Sequence, residues 1–380
     1  MNTVKKRKNK RSIEKEKYDV CANYKRIILI NMIRRDEKID ILRGLAMMWV
    51  IVVHVVFWLP FFRNGTISTL KSLILFEMPL FFFISGASIT LSKQKKFSTF
   101  LISKFKRIII PYWIYIIVCL SLDILLGLYD NFYQLSFIIP YKVPTLFGPF
   151  LTSALWFIRP FLLVILSSHF LYKYFNMCET NIKKVLPLCL LVILIILIDV
   201  SNLSCPIFKC FILFQIFTYL GFFYRIIENN IKNKQLYIIL SAFLITLVLL
   251  VKSPFYILDM QFNKFEYNLV FLIYGSIMLI VIKLLSDHIV NIYKYITNNN
   301  IIKLLLEPFV NNTYTIFLFH PLVFLFLTKL VDRFSLQFIY TNNPYINCAI
   351  ITIMALIGSS LIGRLFSFVE KINFKEKQLI

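Results

Sequence analysis

The residues best suited to chemistry lie where a soluble protein would not put them. The run Asp40-Ile-Leu-Arg43-Gly44-Leu-Ala46 is followed by apolar residues and then by His54. In an α-helix, eleven residues turn through about 1100°, or three turns plus roughly 20°, so Arg43 and His54 share one face about 16 Å apart along the axis. With Arg43 at the inner interface, His54 falls near the bilayer middle. An imidazole there can titrate near neutrality and take a proton from a hydroxyl, which is general-base work. The competing explanation is a histidine hydrogen-bonded between helices for packing.

Other polar groups in apolar surroundings extend this set, since ionisable side chains in lipid are costly and are usually kept for function. Glu77, in Phe76-Glu77-Met78-Pro79, is placed at a depth close to that of His54, either orienting the imidazole or serving as a plain interfacial acid. The inner segment ending Lys104-Phe-Lys106-Arg107-Ile-Ile-Ile-Pro111-Tyr112 is either a phosphate clamp or ordinary orienting charge. Arg159, near the outer end of an apolar run, should snorkel outward or find an anion. His320, just before Pro321, is a second histidine well inside the membrane, at a kink. His169 and His288 fall at run ends and read as structural. Asp123 and Asp199 have no assigned role, and Glu307 belongs at the inner interface.

The elements that must hold these residues are transmembrane helices. The chain has 380 residues, 59% of them apolar, 39 of them Phe, and only 16% charged. Soluble domains average about 45–50% apolar and about 25% charged. Lys and Arg outnumber Asp and Glu by 42 to 19, for a net charge of +23, but the basic residues lie between apolar runs and not on a soluble face, which excludes a nucleic-acid partner. Ten runs approach the roughly 20 residues a bilayer core requires: 44–62, 72–91, 108–128, 151–171, 185–203, 207–225, 236–256, 267–286, 311–329 and 346–366.

The fold expected is therefore all-α and integral to the membrane, a bundle of about ten helices with both termini cytoplasmic. In that orientation 32 of the 42 basic residues lie inside, as the positive-inside rule demands. Residues 1–38, with 13 Lys and Arg against 5 acids, form a basic cytoplasmic tail too polar for a signal peptide. Residues 39–370 form the membrane domain, and 371–380 a cytoplasmic C-terminal tail. The seven cysteines are scattered with no CxxC, so no zinc site is indicated; Cys205 and Cys210 either pair or pack as small apolar groups.

The sequence Asp40-x-x-Arg43-Gly44-x-Ala46 with His54 resembles the first-helix signature of the membrane-bound acyltransferase 3 family. Phe82-Phe83-Ile84-Ser85-Gly86 is similar to that family's second-helix motif. The basic stretch before Pro111-Tyr112, the Leu155-Trp156-Phe157 segment and Tyr314 to His320 follow in the family's order, so the resemblance covers about 39–370. It implies a bundle of about ten helices that moves an acyl group, commonly acetyl from acetyl-CoA, onto sugar hydroxyls of cell-surface or exported glycans. Two departures stand out. Glu77 occupies a place where related sequences often carry His or Asp, and no C-terminal hydrolase-like domain is present, which favours the branch that modifies surface polysaccharides.

On this basis the expected catalytic residues are His54, Arg43, Glu77 and His320, with no metal. His54 would be the general base in a cavity between the first, second and ninth runs, and His320 would complete the site or stabilise an oxyanion. Arg43, Lys104, Lys106 and Arg107 would hold acetyl-CoA as acyl donor at the inner face. The partners expected are the acyl-CoA, a carbohydrate acceptor (a surface glycan or its lipid-linked precursor) and membrane lipid. The location expected is a cell membrane, and the Ile-, Lys-, Asn- and Phe-rich composition points to an AT-rich bacterial genome. A transporter or flippase for a polysaccharide or lipid-linked sugar fits much of the same physics, though no inverted repeat is visible. A catalytically inactive membrane sensor is a third reading.

Overall fold

Every apolar run of the sequence carries a helix, but not every helix is long enough to cross a membrane. A computed structural model describes residues 36–58, 72–92, 94–125, 154–201, 203, 205–333 and 343–371. The basic tail over 1–35, the outer-loop aromatics Tyr129, Phe132, Tyr133 and Tyr141, the side chain of Asp123 and the residues after 371 lie outside that description. All described regular elements are helical.

In chain order the helices are α1 (Glu37–Trp58), α2 (Glu77–Thr90), α3 (Phe97–Lys104), a π-turn (Phe105–Ile109) and α4 (Ile110–Leu125). A 3₁₀ turn (Ala154–Phe157) leads into α5 (Ile158–Met177), followed by α6 (Asn181–Val200), α7 (Pro206–Phe222), α8 (Tyr224–Asn230) and α9 (Asn233–Lys252). The remainder comprises α10 (Met260–Glu266), α11 (Leu269–Ile296), α12 (Asn300–Asn311), α13 (Thr313–Arg333), α14 (Pro344–Leu365) and α15 (Phe368–Lys371).

Six of these helices are long and apolar enough to span a bilayer, and up to eight if the bent pairs α7–α8 (46°) and α12–α13 (108°) each count as one. Among the described residues fewer helices than the ten expected meet that length, and α2 illustrates one reason. The apolar run over 72–91 continues without a break, yet Leu73 and Ile74 form a turn and Leu75 and Phe76 are non-helical, so α2 has only 14 residues. An apolar pattern alone does not separate helix from buried irregular chain. Local chemistry sets the other ends: Thr180 accepts from the Lys183 amide, Asn268 from Phe271 and Asn343 from Tyr345, each satisfying an orphan donor of a helix start.

α1 and α2 lie at the centre of the bundle. α1 is flanked by α2, α11, α12, α13 and α14, and α2 packs most extensively on α7. That last contact is a backbone approach: a Cβ on Gly86 would fall on the Thr218 carbonyl, and one on Gly221 would meet the Phe83 carbonyl. Small residues of this kind let helices associate in lipid, where burial of apolar surface drives nothing. Beside them Phe82 stacks on Phe214 with ring centroids 4.3 Å apart. By contrast α6 and α9 turn most of their apolar surface outward, as lipid-facing helices do. Cys205 and Cys210 are both reduced, one exposed and one buried, so the disulfide alternative is not formed.

Candidate active site

The end of the site that the sequence assigns to the inner face starts from Arg43. Its guanidinium donates to Asp40 one turn earlier and to the Ser88 hydroxyl of α2, both at 2.8 Å. Ser88 in turn donates to the Ile84 carbonyl, which fixes its hydroxyl. Directly below, Gly44 admits the α12 backbone: a Cβ there would press on Val310 and Phe309. The Arg43–Ser88 bond also sets the register of two antiparallel helices. His54 lies eleven residues after Arg43, and Glu77 eleven before Ser88. At 1.5 Å per residue both stand about 16 Å further out, on the stripes that carry Arg43 and Ser88. By helical rise His54 and Glu77 thus stand at one level along the two helices.

At that level His54 meets His320 of α13, not Glu77. Nδ1 of His54 and Nε2 of His320 are 2.8 Å apart, with the rings coplanar to 2°. Nδ1 of His320 lies 2.7 Å from the Phe317 carbonyl. The sequence explains why that carbonyl is available. A helix would pair it with the amide four residues on, but that residue is Pro321, which has no N–H. His320 occupies the lost donor's place. The tautomers then follow from the hydrogen bonds. A carbonyl can only accept, so Nδ1 of His320 carries the proton and its Nε2 accepts. His54 must donate through Nδ1, which leaves the basic lone pair on its Nε2. His320 is fully buried, whereas His54 is half-buried. The less buried ring is the one whose Nε2 keeps its lone pair.

This geometry corrects two expectations. Both nitrogens of His320 are engaged, so it orients His54 and has no N–H to offer an oxyanion. Glu77 does not orient the imidazole either: its Oε1 accepts from Lys264 Nζ at 2.5 Å, in an ion pair with exposures of 2% and 5% for the two residues. Lys264 is the residue that the sequence reading missed. It lies on α10, capped by Asp259, ended by Tyr267 at φ 53°, and tied to the start of the second run where Met260 N–H donates to Ser72. The Lys264 charge acts on His54. The only sequence signal was a lone cation between apolar runs on the outer side.

The remaining basic candidates gather at the inner end. Lys104 is half-buried at the end of α3, outside the spanning segments, with its Nζ 5.3 Å from the Phe100 ring centroid. Burial above all, and then the charges of Arg107, Arg43 and Lys95, hold it down at about 7. Among the described residues the charges acting on it are those of Arg107, Arg43 and Lys95, all positive, an arrangement that an anion would relieve. Lys106 and Arg107 sit on the π-turn, an irregularity that often marks functional sites in helices. Arg159 is exposed, and its charge reaches Tyr112.

The other polar residues are structural. His169 packs between the Phe97 and Phe100 rings, and Asp199 joins Lys209 at 2.6 Å while accepting from the Leu269 amide. Glu307 is exposed and accepts from Asn311. Among the described residues no group of three or more His, Cys, Asp or Glu is placed to hold a metal ion.

The acyltransferase-domain model of the acyltransferase 3 family matches residues 36–364, from the start of α1 to the last turn of α14. The chain belongs to the acyltransferase 3 family. Comparison with curated proteins and with solved structures gave no match. As a membrane acyltransferase, the protein needs a base for an acceptor and a grip for a donor. Its helices carry a histidine pair at one level and a cationic cluster at another.

Proposed function

We propose that this acyltransferase moves an acyl group, acetyl in the simplest case, from a cytosolic acyl-CoA to a hydroxyl of a cell-surface or exported glycan. The observation that carries the reading is the relay from the Phe317 carbonyl through His320 to His54. With the tautomers assigned above, it supports Nε2 of His54 as the proton acceptor.

In the reaction, Nε2 of His54 removes the proton of the acceptor hydroxyl as its oxygen bonds to the thioester carbonyl carbon. The imidazolium so formed is stabilised by donating Nδ1–H to His320. Collapse of the tetrahedral intermediate breaks the C–S bond, and the departing CoA sulfur takes the proton that His54 carries. An ester and free CoA result. Arg43, held by Asp40 and Ser88, positions the pantetheine arm or the thioester. Lys104, Lys106 and Arg107 hold the CoA phosphates at the face where the donor is made. Donor and acceptor approach from opposite sides, and the roughly 16 Å between Arg43 and His54 is spanned by the extended arm of the donor.

Mass spectrometry of surface polysaccharide from cells with and without the gene tests the reading. A mass increment lost with the gene and restored by it identifies both acyl group and acceptor. Unchanged glycan, with no thioester consumed by the purified protein, would refute it.

A further inference from the structure

The Glu77–Lys264 pair does not meet its own hydrogen-bonding needs. Lys264 occupies Oε1 of Glu77, but Oε2 is buried with no partner among the described residues. A buried carboxylate oxygen without a donor is costly, and native structures rarely leave one except where function uses it. Its surroundings are not those of a packing defect. Glu77 stands level with His54 through the α1–α2 register, and the Lys264 charge acts on that same histidine. The half-buried Trp156 forms an aromatic wall, its ring centroid 6.0 Å from Lys264 Nζ.

We infer that Glu77, braced by Lys264, is the acceptor subsite, and that its Oε2 takes a hydrogen bond from a second hydroxyl of the acceptor. The proton count requires the second hydroxyl. The reacting hydroxyl has one proton, which goes to His54, so it has none to give Glu77. The site therefore selects a polyhydroxylated acceptor over a simple alcohol. Lys264 neutralises the carboxylate and fixes its plane, leaving one oxygen directed at the substrate. This inference rests on the acyl-transfer reading above and adds the residue that positions the acceptor.

The test uses the full-length protein in lipid nanodiscs with labelled acetyl-CoA and two probes, methyl glucoside and cyclohexanol, which share a six-membered ring but not the extra hydroxyls. The wild type should favour methyl glucoside in kcat/KM by about tenfold or more, the usual scale for a hydrogen bond to a charged group. Glu77→Gln should bring the two acceptors close to parity. Because it leaves Lys264 buried without a counter-charge, the double variant E77Q/K264M provides a neutral pair that folds, checked by thermal unfolding, and it should show the same loss of preference. A preference retained in either folded variant, or none in the wild type, would overturn the subsite alone. Equal loss of transfer to both acceptors would also overturn it, since that assigns Glu77 to the reaction and not to acceptor choice. Failure of the wild type to consume the thioester with any acceptor would instead remove the acyl-transfer reading on which the subsite depends.

Discussion

The two ends of the site, about 16 Å apart along α1, are built on opposite electrostatic plans. At the outer level, charges are balanced and hydrogen bonds are directed: His54 to His320, His320 to a carbonyl, Lys264 to Glu77. At the inner level, Arg43, Lys104, Arg107 and Lys95 crowd together, and Lys104 is held at about 7 by burial and by like charge. A proton acceptor must be preorganised before the substrate arrives, because a misdirected lone pair does no work. A polyphosphate grip need only be positive, since the ligand brings the missing charge. Under the proposed function, the difference separates a level that performs chemistry from one that binds.

Substitutions at the two levels should therefore fail differently. The largest effect belongs to His54→Ala, which removes the base: transfer should fall by about a hundredfold or more while the protein still reaches the membrane, as label transfer and membrane fractionation will show. His320→Gln keeps a side chain of similar reach but loses the ring that fixes the His54 tautomer. We expect a loss of about tenfold to a hundredfold and a displaced pH–rate profile, which mere loosening of packing would not produce. At the inner level, Lys104→Met with Arg107→Gln should raise the KM for acyl-CoA by about tenfold and leave kcat much less affected. An acyl-pantetheine donor without the nucleotide phosphates should be indifferent to the change.

The charge state of Lys104 gives a related expectation. A lysine lowered to about 7 is an ammonium below that value and neutral above it. Donor affinity should thus weaken as pH rises through 7, and Lys104→Arg, charged throughout, should flatten the profile. The smallest effect is expected of Pro321→Ala. It returns an amide donor to the Phe317 carbonyl, which then competes with His320, and should slow transfer by about three- to tenfold with little cost to stability.

Much of this plan was legible in the sequence, because helical geometry is periodic. The spacing of Arg43 and His54 specifies one face, and antiparallel pairing of neighbouring runs carries Glu77 to the same depth. His320 was visible as an ionisable residue inside an apolar run. What His320 does was not, because its role depends on which ring it meets 266 positions away. Even so, the His-Pro step held a usable clue, since a proline always strips the carbonyl four residues back of its helical partner.

Lys264 was hidden for a different reason. It lies between runs, where a cation is unremarkable, and its partner Glu77 is 187 residues distant. No local pattern encodes such a contact. The start of the second helix was misplaced for a third reason: Leu75 and Phe76 are apolar but not helical. In a protein where 59% of residues are apolar, hydrophobicity marks depth in the membrane better than it marks helix ends.

The central claim is that the relay fixes Nε2 of His54 as the base, and histidine-labelled protein in lipid bilayers allows the tautomers to be read directly by nitrogen NMR. The chain has four histidines, so single replacement of His54 and of His320 assigns both signals. The account predicts neutral rings with the proton on Nδ1 in both, coupled so that replacing His320 shifts the His54 signal. A His54 ring carrying its proton on Nε2, with a signal indifferent to His320, would contradict it.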